Sequence, residues 1–252
     1  MLVDTHTHLL DPVFDADRSA VLERAREAGV GAVISVSENL AEVERNLELA
    51  GEHPALRVAA GLFPTVLDAE QGRAVEERIR SQRDRLVAIG EVGLDYWKVQ
   101  DESGRQAQRT IFARFVDLAV ELDLPLNVHS RSAGRQTIEL LVERGARRVQ
   151  LHAFDGRAAK ALPAVEAGYF FSVPPSVVRS PQKQKLVRRL PLESLLVETD
   201  SPVLGPDPAE RNEPANVRIS IAEIARLKEL PIEAVEAAVA DNTRRLYGDG
   251  IC

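Results

Sequence analysis

The 252-residue sequence has little of what would tie it to an oxidising compartment, a membrane or a general polyanion surface. Its single cysteine, Cys252, cannot form a disulfide within the chain, so we expect a reducing, cytoplasmic location. No apolar run approaches membrane-spanning length, the first residues show no secretory signal pattern, and no membrane partner is expected. The formal net charge of −7 argues against broad polyanion binding, so any contact with nucleic acid must be local.

Short apolar runs alternate with helical patterns along the chain. Several runs are continuously apolar, which is typical of parallel strands covered on the outside by helices. Eight strand-helix units predict an α/β fold, a single (β/α)8 TIM barrel domain over residues 1–252, followed by C-terminal helices. An open doubly wound sheet is the alternative, but residues 9–12 contain no glycine-rich phosphate loop. The predicted strands are residues 3–9, 31–36, 56–62, 86–91, 124–129, 148–152, 169–173 and 194–200.

Residues able to bind a metal recur where these strands end. His6 and His8 are separated by one residue, and alternation along a strand points both imidazoles to one side. An isolated pair of this kind also occurs on solvated strands. Here, however, further ligand-type residues end other strands, at the face where barrel enzymes build their active sites. The full set is His6, His8, Glu91, His129, His152 and Asp200.

The number of these residues favours two metal ions. A catalytic zinc takes three protein ligands and a water, whereas this set has four histidines and two carboxylates. Two divalent ions sharing Glu91 or Asp200 fit better, and Zn, Mg, Mn and Ni all suit such ligands. A metal pair of this kind promotes phosphoester hydrolysis and makes hydroxide available at neutral pH. Asp200 is the predicted general base, with Glu91 as the second catalytic carboxylate.

Polar residues lie in phase with the ligands along the same strands. Asn127, Gln150 and Glu198 each precede a ligand by two positions, so we expect them inside the barrel as supporting hydrogen-bond partners. Asp4 is expected to lie one layer deeper than the two histidines. A buried network with only structural value is an equally good interpretation of the first three.

Several motifs occur in a fixed order. They are D-T-H-T-H at 4–8, G-E-V-G-L-D-Y at 90–96, H-S-R at 129–131, H-A-F-D-G at 152–156, E-T-D-S-P at 198–202 and R-N-E-P at 211–214. With these motifs the chain resembles the TatD-type metal-dependent hydrolases, usually described as deoxyribonucleases. The resemblance implies a two-metal site built from the six ligands, and hydrolysis of DNA phosphodiesters, often as a 3′-to-5′ exonuclease. One departure is Phe63 in G-L-F-P-T, where many members have a histidine, so we expect slower turnover or a different substrate.

Cationic and aromatic residues near the predicted mouth are candidates for substrate binding. Arg131, Lys98 and Arg211 would bind phosphate oxygens, and an exposed Tyr96 or Trp97 would stack a base, although packing at the rim explains the aromatic pair equally well. Arg179 and Lys183 are interpreted as solvated residues of a helix start. Aromatic residues make up only 4% of the chain, so the expected partners are DNA ends or short nucleic acid.

Two other functions fit the sequence. The same pair of metals would serve an esterase or amidohydrolase acting on a small molecule or on aminoacyl-tRNA. A non-catalytic barrel that binds metal or a partner protein is the third hypothesis, and the completeness of the ligand set argues against it. We expect a monomer or a small homo-oligomer.

Overall fold

A computed structural model describes residues 1–251 and shows eight parallel strands in sequential order. They are β1 (Leu2–Thr7), β2 (Val30–Val36), β3 (Leu56–Ala60), β4 (Leu86–Gly93), β5 (Leu126–His129), β6 (Val149–Leu151), β7 (Phe170–Val173) and β8 (Leu195–Val197). Beyond β8, the backbone N–H of Asp200 donates to the carbonyl of His6 at 2.9 Å, and that of His8 donates to Ser201 at 2.9 Å. These bonds join the first strand to the segment after the last one, and the sheet confirms the predicted barrel.

Nine α-helices are present within residues 1–251. They are α1 (Arg18–Glu27), α2 (Leu40–Glu52), α3 (Ala69–Ser81), α4 (Glu102–Leu122), α5 (Gly134–Glu143), α6 (Ala158–Glu166), α7 (Pro181–Arg189), α8 (Val217–Lys228) and α9 (Ile232–Tyr247). Before α1, the Asp11 side chain caps a separate 3₁₀ turn, Pro12–Phe14. At the start of α4, the Asp101 side chain accepts from the backbone N–H of Gly104. No helix in this part of the chain combines the length and the apolar character needed to cross a membrane.

Two apolar clusters occupy the two faces of the sheet. The larger one fills the space between strands and helices, and Phe112 and Phe115 of α4 are fully buried in it. The smaller one lies inside the barrel, where Tyr247 of α9 belongs to it. The Tyr247 hydroxyl donates to Gln150 Oε1 at 2.5 Å, and Asn127 Nδ2 donates to the Thr5 carbonyl at 2.8 Å. A polar layer inside the barrel, as predicted from strand phase, therefore lies between the apolar cluster and the carboxyl ends of the strands.

Candidate metal centre

Three of the predicted ligands form one group of converging atoms. The Nε2 atoms of His6 and His8 lie 3.3 Å apart. Asp200 Oδ1 lies 3.5 Å from the first of these nitrogens and 3.3 Å from the second. Asp200 follows β8 in a left-handed backbone conformation, with φ of 52°. This turn of the chain brings its carboxylate back toward the end of β1.

The remaining ligands form a second group, and Glu91 contacts both. Glu91 Oε1 lies 2.6 Å from His129 Nδ1 and 2.8 Å from His152 Nε2. Its other oxygen, Oε2, lies 3.7 Å from His6 Nε2 and 3.5 Å from His8 Nε2. Glu91 therefore directs one oxygen to each group, so of the two carboxylates expected to be shared, Glu91 has the bridging geometry.

Glycines allow β4 to approach β5 closely enough for this contact. A Cβ atom on Gly90 would lie 2.6 Å from Asn127 Cβ, and one on Gly93 would lie 2.0 Å from the His129 carbonyl oxygen. Gly93 also has φ of 147°, a conformation that residues with side chains rarely adopt. The G-E-V-G sequence therefore places Glu91 against His129 because its glycines leave room for the neighbouring backbone.

Hydrogen bonds orient two of the imidazoles. His6 Nδ1 lies 2.8 Å from Asn127 Oδ1. Because the Asn127 amide nitrogen donates to Thr5, its oxygen is the acceptor, and His6 carries its proton on Nδ1. His129 Nε2 lies 3.1 Å from Asp95 Oδ2, so it donates to that carboxylate. In both rings the other nitrogen, which a metal would bind, faces the cluster, as in metal-bound histidines.

The donor set fits divalent cations. Ligand atoms of His6, Glu91 and His152 lie within 4.8 Å of one another, as do those of His6, His8 and Asp200. Glu91 Oε2 is buried and has no hydrogen-bond partner among residues 1–251. Such an atom is costly to leave unsatisfied, and a cation would satisfy it. Imidazole nitrogens suit ions such as Zn and Ni, and carboxylate oxygens suit Mg and Mn.

The pKa values show that protons compete for the same atoms. Burial, reinforced by the nearby His152, lowers the pKa of His6 to about 3. Burial alone would also lower the pKa of His8 and His129. However, the Asp200 and Glu91 carboxylates raise the pKa of His8 to about 10, and Asp95 and Glu91 raise that of His129 to about 9. In protein stripped of metal by a chelator, these two histidines would hold protons that balance the charge of the carboxylates. A cation must displace these protons in order to bind.

Two further carboxylates hold the backbone beside the ligands. Glu198 accepts from the backbone N–H of Ala153 at 2.8 Å and from the Ser172 hydroxyl at 2.6 Å. Asp4 accepts from the Thr199 hydroxyl at 2.5 Å and from the Thr199 backbone N–H at 2.9 Å. Both are fully buried, and they fix the residues next to His152 and Asp200.

The ligand atoms open into a cavity of about 530 Å³. Lys98, Arg131 and Phe63 are part of its wall. The Arg131 guanidinium lies 3.8 Å from the centre of the Trp97 ring, and Trp97 is 55% exposed. The Phe63 ring lies 5.2 Å from the His129 ring. Two of the predicted phosphate contacts, Lys98 and Arg131, thus lie beside the candidate metal centre.

Two other predicted substrate contacts lie elsewhere. Tyr96 is only 8% exposed, and its hydroxyl accepts from Arg109 at 2.9 Å. The expectation of an exposed Tyr96 was therefore wrong, because side chains of α4 pack on it, and Trp97 is the exposed aromatic. Arg211 forms two hydrogen bonds of 2.7 Å to the Asp17 carboxylate and does not line the cavity. Its contact with phosphate stays a prediction.

Sequence reasoning missed three polar residues at this site. Asp95 orients His129, although it was visible as the aspartate of the G-E-V-G-L-D-Y motif. Glu38 follows β2, and its Oε1 lies 3.7 Å from His8 Nδ1. Lys183 was expected to be solvated, but it is partly buried and lines a second cavity. No sequence pattern marks Glu38 or Lys183, since each reaches the site through the packing of a loop.

Comparison with known proteins gives a family for this fold and site. Residues 3–248 match the model of the family described as TatD related DNase. The chain belongs to this family. It is 46% identical to Deoxyribonuclease TATDN3 of Homo sapiens, over 98% of this chain and 94% of that relative. It is 32% identical to the uncharacterized metal-dependent hydrolase YabD of Bacillus subtilis, over 98% of this chain and 99% of that protein.

A solved structure supports the same assignment. The TatD homolog YjjV from Escherichia coli superposes with a TM-score of 0.89 and 29% identity, over 98% of this chain and 97% of that one. The chain is therefore a metal-dependent hydrolase of the TatD family with the family's barrel. The cluster of histidines and carboxylates at the strand ends is its candidate metal centre.

Proposed function

We propose that this TatD-family hydrolase cleaves phosphodiester bonds at DNA ends, as a 3′-to-5′ exonuclease that uses two divalent cations. The name of its human relative, a deoxyribonuclease, supports the choice of DNA. The observation that carries the proposal is the position of Glu91, whose two carboxylate oxygens face two separate groups of ligand atoms. A carboxylate placed in this way is what a pair of neighbouring cations requires.

The residues divide into two sets. His6, His8 and Asp200, with Glu91 Oε2, would hold one ion. His129 and His152, with Glu91 Oε1, would hold the other. When bound, Zn, Mg, Mn or Ni ions would lower the pKa of a water molecule and neutralise charge on the phosphate. The identity of the ions is open because these ligands suit all four metals.

The protein groups around this centre supply proton transfer and substrate positioning. In the reaction, a water oxygen bonds to phosphorus, Asp200 takes the water proton, and the P–O3′ bond breaks. The departing O3′ takes up this proton from Asp200 and leaves as the 3′-hydroxyl of the shortened strand. Burial alone would raise the pKa of Asp200, but the hydrogen bond from His8 outweighs it and lowers the pKa, so the carboxylate is ionised at neutral pH. Arg131 and Lys98 contact phosphate oxygens, and the exposed Trp97 ring stacks a terminal base.

The test is metal removal followed by replacement. The protein is stripped with a chelator, reloaded separately with Mg, Mn, Zn or Ni, and given single-stranded DNA labelled at either end. Release of labelled mononucleotide from the 3′ end, only after reloading, is expected. Asp200→Asn should lower the rate by about 10²–10⁴-fold, the usual contribution of a positioned base.

A different outcome would favour the other enzymatic hypothesis. If the reloaded protein released no nucleotide but hydrolysed acyl substrates, the esterase or amidohydrolase function would replace the nuclease. The single domain over residues 1–252, the cytoplasmic location and the monomer or small homo-oligomer stay predictions.

A further inference from the structure

A second cavity adjoins the first and is lined by residues at the ends of β5, β6 and β8 and by Lys183 of α7. It has a volume of about 370 Å³. The two cavities share wall residues at the metal centre, namely His129, Arg131, His152, Asp200 and Val203. A substrate whose scissile bond lies over the ligands can therefore extend into both cavities. The larger cavity contains Lys98, and the smaller one contains its own lysine, Lys183.

Lys183 presents an ammonium group with unused donors. It lies in the first turn of α7, and its Nζ donates to the Ala153 carbonyl at 2.9 Å. An ammonium group has three N–H donors, and Ala153 takes one. Burial lowers the pKa of Lys183, because the charge has lost part of its hydration. An anion entering the cavity would restore this lost stabilisation.

Ser130 provides a second, independent indication of a ligand. It lines the same cavity and is only 3% exposed, and its hydroxyl has no hydrogen-bond partner among residues 1–251. Buried hydroxyl groups normally have a partner, so this group lacks one that a ligand could supply. The wall also contains a carboxylate, Asp155, which is exposed and accepts from the backbone N–H of Ser132 at 2.9 Å.

We propose that this second cavity binds the nucleotide next to the one released, and that the Lys183 ammonium and the Ser130 hydroxyl bind the phosphate on that nucleotide's 5′ side. The assignment rests on the proposed nuclease function and makes Lys183 a specificity-determining residue for substrates with this additional phosphate. Arg131 lines both cavities, and it still binds the scissile phosphate in this proposal.

A purely structural role for Lys183 makes a different prediction. Ala153 follows His152 in a left-handed conformation, with φ of 41°, and its N–H and carbonyl are bound by Glu198 and Lys183. If Lys183 only held this loop, its removal would slow every substrate equally. A phosphate subsite instead predicts a loss confined to the substrate that carries the extra phosphate.

The experiment compares two thymidine dinucleotides that differ only in a 5′-terminal phosphate, pTpT and TpT. The kcat/KM ratio of pTpT to TpT is measured for the metal-loaded wild type, Lys183→Met and Lys185→Met. Lys185 lies on the same helix but is exposed, so it is the matched control. A hydrogen bond to a charged group contributes about tenfold or more to binding affinity. Lys183→Met should therefore lower the ratio by about this factor, through a higher KM for pTpT. Lys185→Met should keep the wild-type ratio, and Ser130→Ala should lower it by a smaller factor.

An unchanged ratio in Lys183→Met would overturn the subsite. An equal loss with both dinucleotides gives this unchanged ratio, and it would assign the lysine to loop positioning. If the wild type releases no nucleotide from single-stranded DNA or from either dinucleotide, the nuclease proposal fails by itself, and calorimetric affinities for pTpT and TpT then decide the subsite. A pTpT to TpT affinity ratio about tenfold lower in Lys183→Met than in the wild type supports the subsite. An equal ratio in the two proteins rejects it.

Discussion

Asp95→Asn is the substitution that tests most sharply how the site is oriented. Asp95 Oδ2 accepts from His129 Nε2 at 3.1 Å, while its Oδ1 accepts from the backbone N–H groups of Trp97 at 3.0 Å and Lys98 at 2.7 Å. An asparagine can satisfy only one of these sets. If its oxygen keeps the backbone bonds, its NH₂ group faces His129 and forces the imidazole to carry its proton on Nδ1. That nitrogen lies 2.6 Å from Glu91 Oε1, so it would no longer offer a lone pair to a cation.

The expected loss follows from this change of tautomer. Replacing a hydrogen-bond partner of a metal-bound histidine lowers metal affinity by about 10–100-fold, or about 1.4–2.7 kcal/mol. The loss should affect the cation held by His129 and His152, while the cation held by His6, His8 and Asp200 stays bound. The assay is a titration of chelator-stripped protein with Zn or Mn against a competing chromophoric chelator.

The matched control is Asp101→Asn, which makes the same aspartate-to-asparagine change at the start of α4, away from the ligands. Its carbonyl oxygen can still cap the helix, so metal affinity should equal that of the wild type. If Asp95→Asn bound both cations with wild-type affinity, the assignment of Asp95 as the residue that orients His129 would be refuted.

The remaining predictions concern protons and Phe63. Saturating a chelator-treated sample near pH 7 with Zn should release about two protons per chain, since His8 and His129, with pKa values of about 10 and about 9, must lose their protons to bind. Apparent metal affinity should accordingly rise with pH over the neutral range; potentiometry showing no proton release would contradict this. Phe63→His should raise kcat on single-stranded DNA by at most about 10²-fold, because it adds a proton-transferring group to the cavity wall. Phe63→Leu is its control, and equal rates for the two variants would show that residue 63 transfers no proton.

Much of the fold and the ligand set could be read from local sequence patterns. Continuous apolar runs followed by helical patterns are properties of short segments, so the eight strands were predictable within a few residues. The six ligand candidates were found because each ends a strand, and parallel strands in a barrel bring their carboxyl ends to one face. The structure brings the predicted ligands together, while metal binding by each of them stays a proposal.

Residues whose position depends on contacts between distant segments could not be predicted in this way. Arg211 lies 194 positions from Asp17, which binds it, and nothing in the sequence near either residue indicates the pairing. Tyr96 is buried because Arg105 and Arg109 of α4 pack against it. Lys183 reaches the second cavity because the loop after β6 packs on the start of α7.

The most direct test of the account is the number of cations that each chain binds when Glu91 is intact and when it is changed. Elemental analysis after reloading and removal of unbound metal gives this number for the wild type, Glu91→Gln and the exposed control Glu102→Gln. A bridging Glu91 predicts two divalent cations per chain in the wild type and in the control, and the loss of at least one in Glu91→Gln. A single cation in the wild type, or two in Glu91→Gln, would contradict it.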